Sequence, residues 1–157
     1  MTDSGQRNEN RPGPVAPIVH VVDDDESFRS AIARLLRATK YEVRTYASAN
    51  DFLSRHVEGA PGCIVLDLRM PGLSGLDLQE ALAIRPEQLP IIFLSGHGDI
   101  RVKTRALQAG AIAFLHKPVH SKDLFEAIEI AFNRDAENRL AREQLRQATP
   151  ESAPPRA

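Results

Sequence analysis

The chain has 157 residues, with 20 Lys and Arg against 21 Asp and Glu and a formal net charge of −1. That length suits one domain plus tails, and the charge balance gives no electrostatic reason to expect nucleic acid or a bulk membrane surface as partner. No stretch approaches the ~20 apolar residues of a membrane span, the N-terminus has no signal-peptide core, and one cysteine excludes an internal disulfide, so a cytoplasmic single-domain protein is expected.

Residues 1–17 are polar and rich in Asn, Gly and Pro, and read as a disordered arm. Ile18-Val19-His20-Val21-Val22 is the first apolar run and ends at Asp23-Asp24. A helix follows from about Glu26, with Phe28, Ile32, Leu35 and Leu36 on one face. Tyr41 to Tyr46 reads as a second strand, and Ala49, Phe52 and Leu53 mark a short helix after it. Cys63-Ile64-Val65-Leu66 leads into Asp67, and the Pro71-Gly72 turn into a helix carrying Leu76, Leu78, Leu82 and Ile84. Ile91-Ile92-Phe93-Leu94 leads into Ser95. The next helix, with Val102, Ala106 and Leu107, stops at Gly110. Ala111 to His116 is the fifth run and leads into Lys117-Pro118. A last helix starts near Ser121, shows Leu124, Ile128, Ala131 and Phe132 on one face, and runs to about Gln147.

Short apolar runs alternating with helical periods predict parallel strands covered on both faces. Five such units with right-handed crossovers give a flavodoxin-like doubly wound α/β sheet in the order 2-1-3-4-5. The domain is expected over 18–135, with 136–157 a helical extension and disordered tail. Leu140 and Leu145, exposed beyond the domain, suggest a homodimer through the fifth helices or the neighbouring fourth-helix face.

In such sheets ligands bind at the carboxyl ends of the strands, where Asp23, Asp24, Asp67, Ser95 and Lys117 fall. Converging acids repel one another unless a cation joins them, and an oxygen-rich site favours a hard ion such as Mg2+. Asp24 is the expected direct ligand, supported by Asp23, with Asp67 and the backbone carbonyl of Arg69 completing the oxygens. Asp67 beside a divalent cation can act as nucleophile toward a phosphoryl group, giving an acyl phosphate. Lys117 would offset charge on the phosphoryl oxygens, and Ser95 would offer them a hydroxyl. A strand-end Asp alone is an ordinary helix cap or turn former; four strand ends carrying acid, acid, hydroxyl and lysine together are not. His20, His56, His97, His116 and His120 show no zinc-ligand spacing.

Four motifs, in this order and spacing, resemble a response-regulator receiver domain. They are Val-Val-Asp-Asp-Asp at 21–25, Leu-Asp-Leu-Arg-Met-Pro-Gly-Leu-Ser-Gly at 66–75, Leu-Ser-Gly-His-Gly-Asp at 94–99 and Phe-Leu-His-Lys-Pro at 114–118. The Gly-His-Gly-Asp segment is similar to the FixJ-like subfamily. The resemblance implies that Asp67 takes phosphate from a sensor histidine kinase or phosphotransfer protein, with Asp23 and Asp24 binding Mg2+. It further implies phosphoryl contacts from Ser95 and Lys117, a cis Lys117-Pro118 peptide, and Phe114 as a switch aromatic whose ring moves inward on phosphorylation to control a downstream protein. Arg69 and His97 would flank the acyl phosphate, with Arg69 shielding it from water. No enzyme activity is expected beyond self-phosphorylation from small donors and self-dephosphorylation. FixJ-like relatives continue into a helix-turn-helix, whereas here no recognition-helix pattern or basic patch follows, so DNA binding by this chain is not expected. Two alternatives stand beside this reading. One is the receiver fragment of a longer DNA-binding regulator. The other is a metal-dependent phosphatase with an Asp nucleophile, for which Arg69 stands where a general acid is needed.

Overall fold

The structure, a computed structural model, describes residues 15–56, 58–86, 88–96 and 100–148. Strands and helices alternate as β1 (Ile18–Val22), α1 (Glu26–Ala38), β2 (Glu42–Tyr46), α2 (Ala49–Arg55), β3 (Gly62–Asp67), α3 (Gly75–Ala83), β4 (Ile91–Ser95), α4 (Ile100–Gln108), β5 (Ala113–His116) and α5 (Ser121–Ala148). The strands are all parallel and lie in the order β2-β1-β3-β4-β5, as the sequence predicts. β1, β3 and β4 are buried at every residue, which is why they read as continuous apolar runs. The edge strand β2 exposes Glu42 and Arg44 and buries Val43 on one face of the sheet and Tyr46 on the other.

The apolar side chains divide between the two faces of the sheet. On one face Val19, Val21, Val65, Ile92 and Leu94 pack with Ile32 and Leu36 of α1 and Leu124 and Ile128 of α5. On the other, Ile64, Leu66, Phe93 and Phe114 pack with Phe52 of α2, Leu78 of α3 and Ala106 of α4. Side chains fix the helix starts. Asp25 caps α1 by accepting the Phe28 N–H, Ser48 caps α2, and Ser74 and Asp77 form a reciprocal capping box on α3. Gly110, at φ +107°, follows α4 in a conformation that favours glycine.

Several boundaries differ from the expectation. Ile84 is not on the core face: α3 ends at Ala83, Ile84 is its C-cap, and its side chain is 86% exposed. The helical period no longer applies where the helix has stopped. Leu107 also lies largely outside the core. β2 begins at Glu42, because Tyr41 turns its ring toward Phe125 and Phe132 and donates its hydroxyl hydrogen to Glu129 Oε2 at 2.6 Å. β5 begins at Ala113, two residues later than its apolar run. Of the proposed arm, residues 1–14 lie outside the described residues, as do 149–157 of the tail.

α5 is 28 residues long, about 42 Å at 1.5 Å per residue, and its packing continues past 135. Buried Asp135 accepts the Gly62 N–H at 3.0 Å and Arg139 Nε at 2.9 Å through Oδ2. The other guanidinium nitrogens of Arg139 donate to the carbonyls of Gly59, at 3.0 Å, and Ala60, at 2.7 Å. Gly62 has to be glycine here, since an added Cβ would lie 2.0 Å from the Ile18 carbonyl oxygen.

Candidate functional site

β1 and β3 are in register at Val22 and Leu66, so Asp23 and Asp67 emerge side by side where the two strands end. The Asp23 backbone is held by its N–H to the Tyr46 carbonyl at 3.1 Å and by Arg29 Nη1 donating to its own carbonyl at 2.7 Å. Its side chain is 1% exposed and occupied on both oxygens. Oδ1 accepts the Asp25 N–H at 2.9 Å, and Oδ2 accepts Lys117 Nζ at 2.9 Å. Lys117 Nζ also lies 3.4 Å from Asp67 Oδ1 and 4.2 Å from the centroid of the Phe28 ring.

Asp24 is exposed, yet one carboxylate oxygen from each of Asp23, Asp24 and Asp67 falls within a mutual 4.8 Å. All three donors are carboxylate oxygens, the set that suits a hard divalent cation. Electrostatics points the same way. The Asp67 carboxyl is pushed up to about 6, first by burial and then by the negative charge of Asp23; Lys117 opposes this only in part. For Lys117, burial works against the charged form, but hydrogen bonds and charge from Asp23 and Asp67 outweigh it and raise its pKa. The ammonium faces two of the three clustered acids, and the remaining negative charge gives a divalent ion a reason to bind.

The other site residues come from neighbouring strand ends. Ser95, 1% exposed, ends β4, and its carbonyl accepts the Lys117 N–H at 2.8 Å. The Lys117-Pro118 peptide is cis. Arg69 is exposed, two residues past Asp67, while His97 lies outside the described residues. Phe114, on β5, is 6% exposed and its ring centroid is 6.1 Å from that of Phe93. The ring is packed into the core beside Phe93. Gly75 opens α3 against the end of β3. Its N–H reaches the Leu68 carbonyl at 2.9 Å, and a Cβ would meet the Asp67 carbonyl oxygen at 2.6 Å.

Sequence reasoning missed two groups around this site. Phe28 and Arg29 both reach into it from the first turn of α1. Their signal was available in the cap: an Asp at 25 fixes which residues follow in that turn. The second is the buried cluster of His20, Tyr46, Phe52 and His56 beneath β1. His20 Nδ1 is 2.9 Å from the Tyr46 hydroxyl, and the His20 and His56 rings meet edge-on at 5.0 Å. Burial foremost, then His56 and Arg44, lowers the His20 pKa to about 3, so a neutral imidazole serves as core filler.

The response regulator receiver domain family matches residues 19–129. Among curated relatives, the response regulator protein TmoT of Ectopseudomonas mendocina is 42% identical over 127 residues, covering 81% of this chain and 58% of that protein. The transcriptional regulatory protein TdiR of Thauera aromatica is 45% identical over 122 residues, covering 76% and 54%. The chain therefore spans little more than half the length of these relatives. Among solved structures, the response regulator StyR superposes with a TM-score of 0.79 at 46% identity, covering 84% of this chain and 67% of that one. The FixJ-N crystal structure superposes with a TM-score of 0.70 at 37% identity, covering 74% and 94%. Fold, motif order and these relatives agree, and the chain belongs to the response regulator receiver domain family.

Proposed function

We propose that this chain is the phosphoacceptor of a two-component relay, taking a phosphoryl group onto Asp67 from a sensor histidine kinase or phosphotransfer protein. The observation that carries the reading is the cluster of three carboxylates, two of which are bridged by a single lysine. Asp24, Asp23, Asp67 and the Arg69 carbonyl would hold Mg2+. Bound there, Mg2+ would offset charge on the acids and on the phosphoryl oxygens, so that an anionic donor can approach. An ionised Asp67 oxygen attacks phosphorus; the new P–O bond forms as the donor's P–N bond breaks, and the imidazole leaves. Lys117 shifts from Asp23 toward the incoming oxygens, and the Ser95 hydroxyl donates to another of them. The exposed Arg69 side chain stands over the acyl phosphate and slows its hydrolysis.

The output is control of a downstream protein partner in the cytoplasm, without DNA contact by the residues of this chain. A phosphoryl group carries about −1.5 to −2 charge, enough to draw Ser95 and Lys117 toward position 67. Phosphorylation favours a buried Phe114 ring and reshapes the α4–β5 surface for a partner or a second copy. A second reading, the receiver part of a longer DNA-binding regulator, is supported by the short span relative to TdiR. The phosphatase reading lacks its general acid, since position 69 holds an arginine in place of a carboxylic acid.

Incubation with a small phosphodonor and Mg2+ followed by intact mass measurement tests the reading. One phosphoryl mass is expected for the wild type, dependent on Mg2+, and none for Asp67→Asn. Full labelling of Asp67→Asn would overturn it.

A further inference from the structure

Lys117 has three N–H donors and, at the site, two acids. One donor faces Asp23 at 2.9 Å, and Asp67 lies at 3.4 Å. On a third side the ammonium meets the face of Phe28, 4.2 Å from the ring centroid and well inside the distance at which a cation is attracted to the ring quadrupole. The ring is itself placed by the acid motif. The Asp25 N–H binds Asp23 Oδ1, and Asp25 Oδ1 accepts the Phe28 N–H at 3.2 Å, capping α1 and fixing its first turn. The contacts close a circuit from Asp23 through Asp25 and Phe28 to Lys117 and back to Asp23.

From this circuit we infer that Phe28 is a positioning residue for Lys117, an inference that rests on Asp67 being the phosphoacceptor. The ring takes the place of a hydrating water on one side of the ammonium and keeps a long, flexible side chain at the mouth of the site. It holds the charge without a formal bond, so Lys117 can leave toward phosphoryl oxygens without breaking a third hydrogen bond. An aliphatic residue at 28 would fill similar space but offer no negative π face. The third aspartate of the Asp-Asp-Asp run acts in the same circuit through the cap, at one remove from any metal.

The test compares Phe28→Leu with Phe28→Tyr, which restores the π face. Two readouts are taken on the full chain: the labelling rate with a small phosphodonor and Mg2+, and the NMR shift of the Lys117 ε-methylene protons, displaced upfield by a ring above them. Phe28→Leu should lose the upfield shift and label about 3- to 30-fold more slowly. Phe28→Tyr should recover both. Wild-type labelling in Phe28→Leu, or a Phe28→Tyr protein no faster than Phe28→Leu, would overturn the inference. If the wild type takes no label, the acceptor reading itself fails; the inference about Phe28 is then decided by the shift, and its persistence in Phe28→Leu refutes it.

Discussion

At each end of the sheet an aspartate is 1% exposed and faces a cation, Asp23 with Lys117 at the carboxyl end and Asp135 with Arg139 at the amino end. At the amino end the charges match one to one. Asp135 also takes a backbone N–H, and Arg139 spends its remaining donors on two carbonyls. At the carboxyl end three acids cluster and one lysine faces two of them; burial first, and then the negative charge of Asp23, raises the Asp67 carboxyl to about 6. The first arrangement balances its charges, although Asp135 Oδ1 has no partner among the described residues, and it holds a helix in place. The second is short of positive charge, and that shortage marks it as a place for a cation and a reacting anion. A buried ion pair says little about function until the charges around it are counted.

Matched Asp→Asn substitutions at the two ends of the sheet should have opposite effects on stability. Asp135→Asn leaves Arg139 without its counter-charge and should lower stability by about 2–4 kcal/mol, below the full cost of a broken buried pair because Arg139 is partly exposed. Asp67→Asn relieves repulsion and should raise stability by about 1–2 kcal/mol at neutral pH without divalent ions. Urea unfolding of both variants reads the two signs directly.

A pH titration sharpens the same contrast. The folded Asp67 carboxyl binds its proton near pH 6 and the unfolded one near 3.8, so folding takes up a proton between those values. Its contribution to stability therefore grows as pH falls through that window, the reverse of an ion-paired carboxylate. Carboxyl-carbon NMR should show a midpoint near 6 without divalent ions, moved downward by Mg2+. His20 has the opposite sign: its folded value is depressed to about 3, so its contribution is lost as pH falls below 6.5. His20→Asn should flatten the acid side of the stability profile.

Smaller effects are expected along α5. Ending the chain after 135 removes Arg139 and should cost about 1–3 kcal/mol, whereas ending it after 142 should be nearly silent in thermal unfolding. Leu140→Ser with Leu145→Ser should change stability by less than about 0.5 kcal/mol and leave the sedimentation coefficient unchanged. Those two leucines are 59% and 68% exposed, and five residues of helix put them about 140° apart, on no common seam.

The strand order was legible because β1, β3 and β4 are buried on both sides and carry unbroken apolar runs. The acid cluster was legible because each polar residue directly ends such a run. What escaped the sequence depends on contacts across the fold. Asp135 and Arg139 sit in a charged helical pattern whose periodicity does not mark them as buried; only the close approach of α5 to Gly62 does so. Ile84 looks like a core residue until the turn that ends α3 is known. Phe28 was assigned to the apolar face of α1, which does not reveal that its ring also lies beneath the Lys117 ammonium.

The shortage of positive charge at the carboxyl end should recruit a divalent cation. An NMR titration of backbone amides with Mg2+, in the wild type, Asp24→Ala and folded Asp135→Asn, tests it most directly. Saturable shifts centred on residues 23–25 and 67–69 are expected in the wild type and in Asp135→Asn, and should be largely lost in Asp24→Ala. Equal shifts in all three proteins, or none at residues 23–25 and 67–69 in the wild type, would contradict the account.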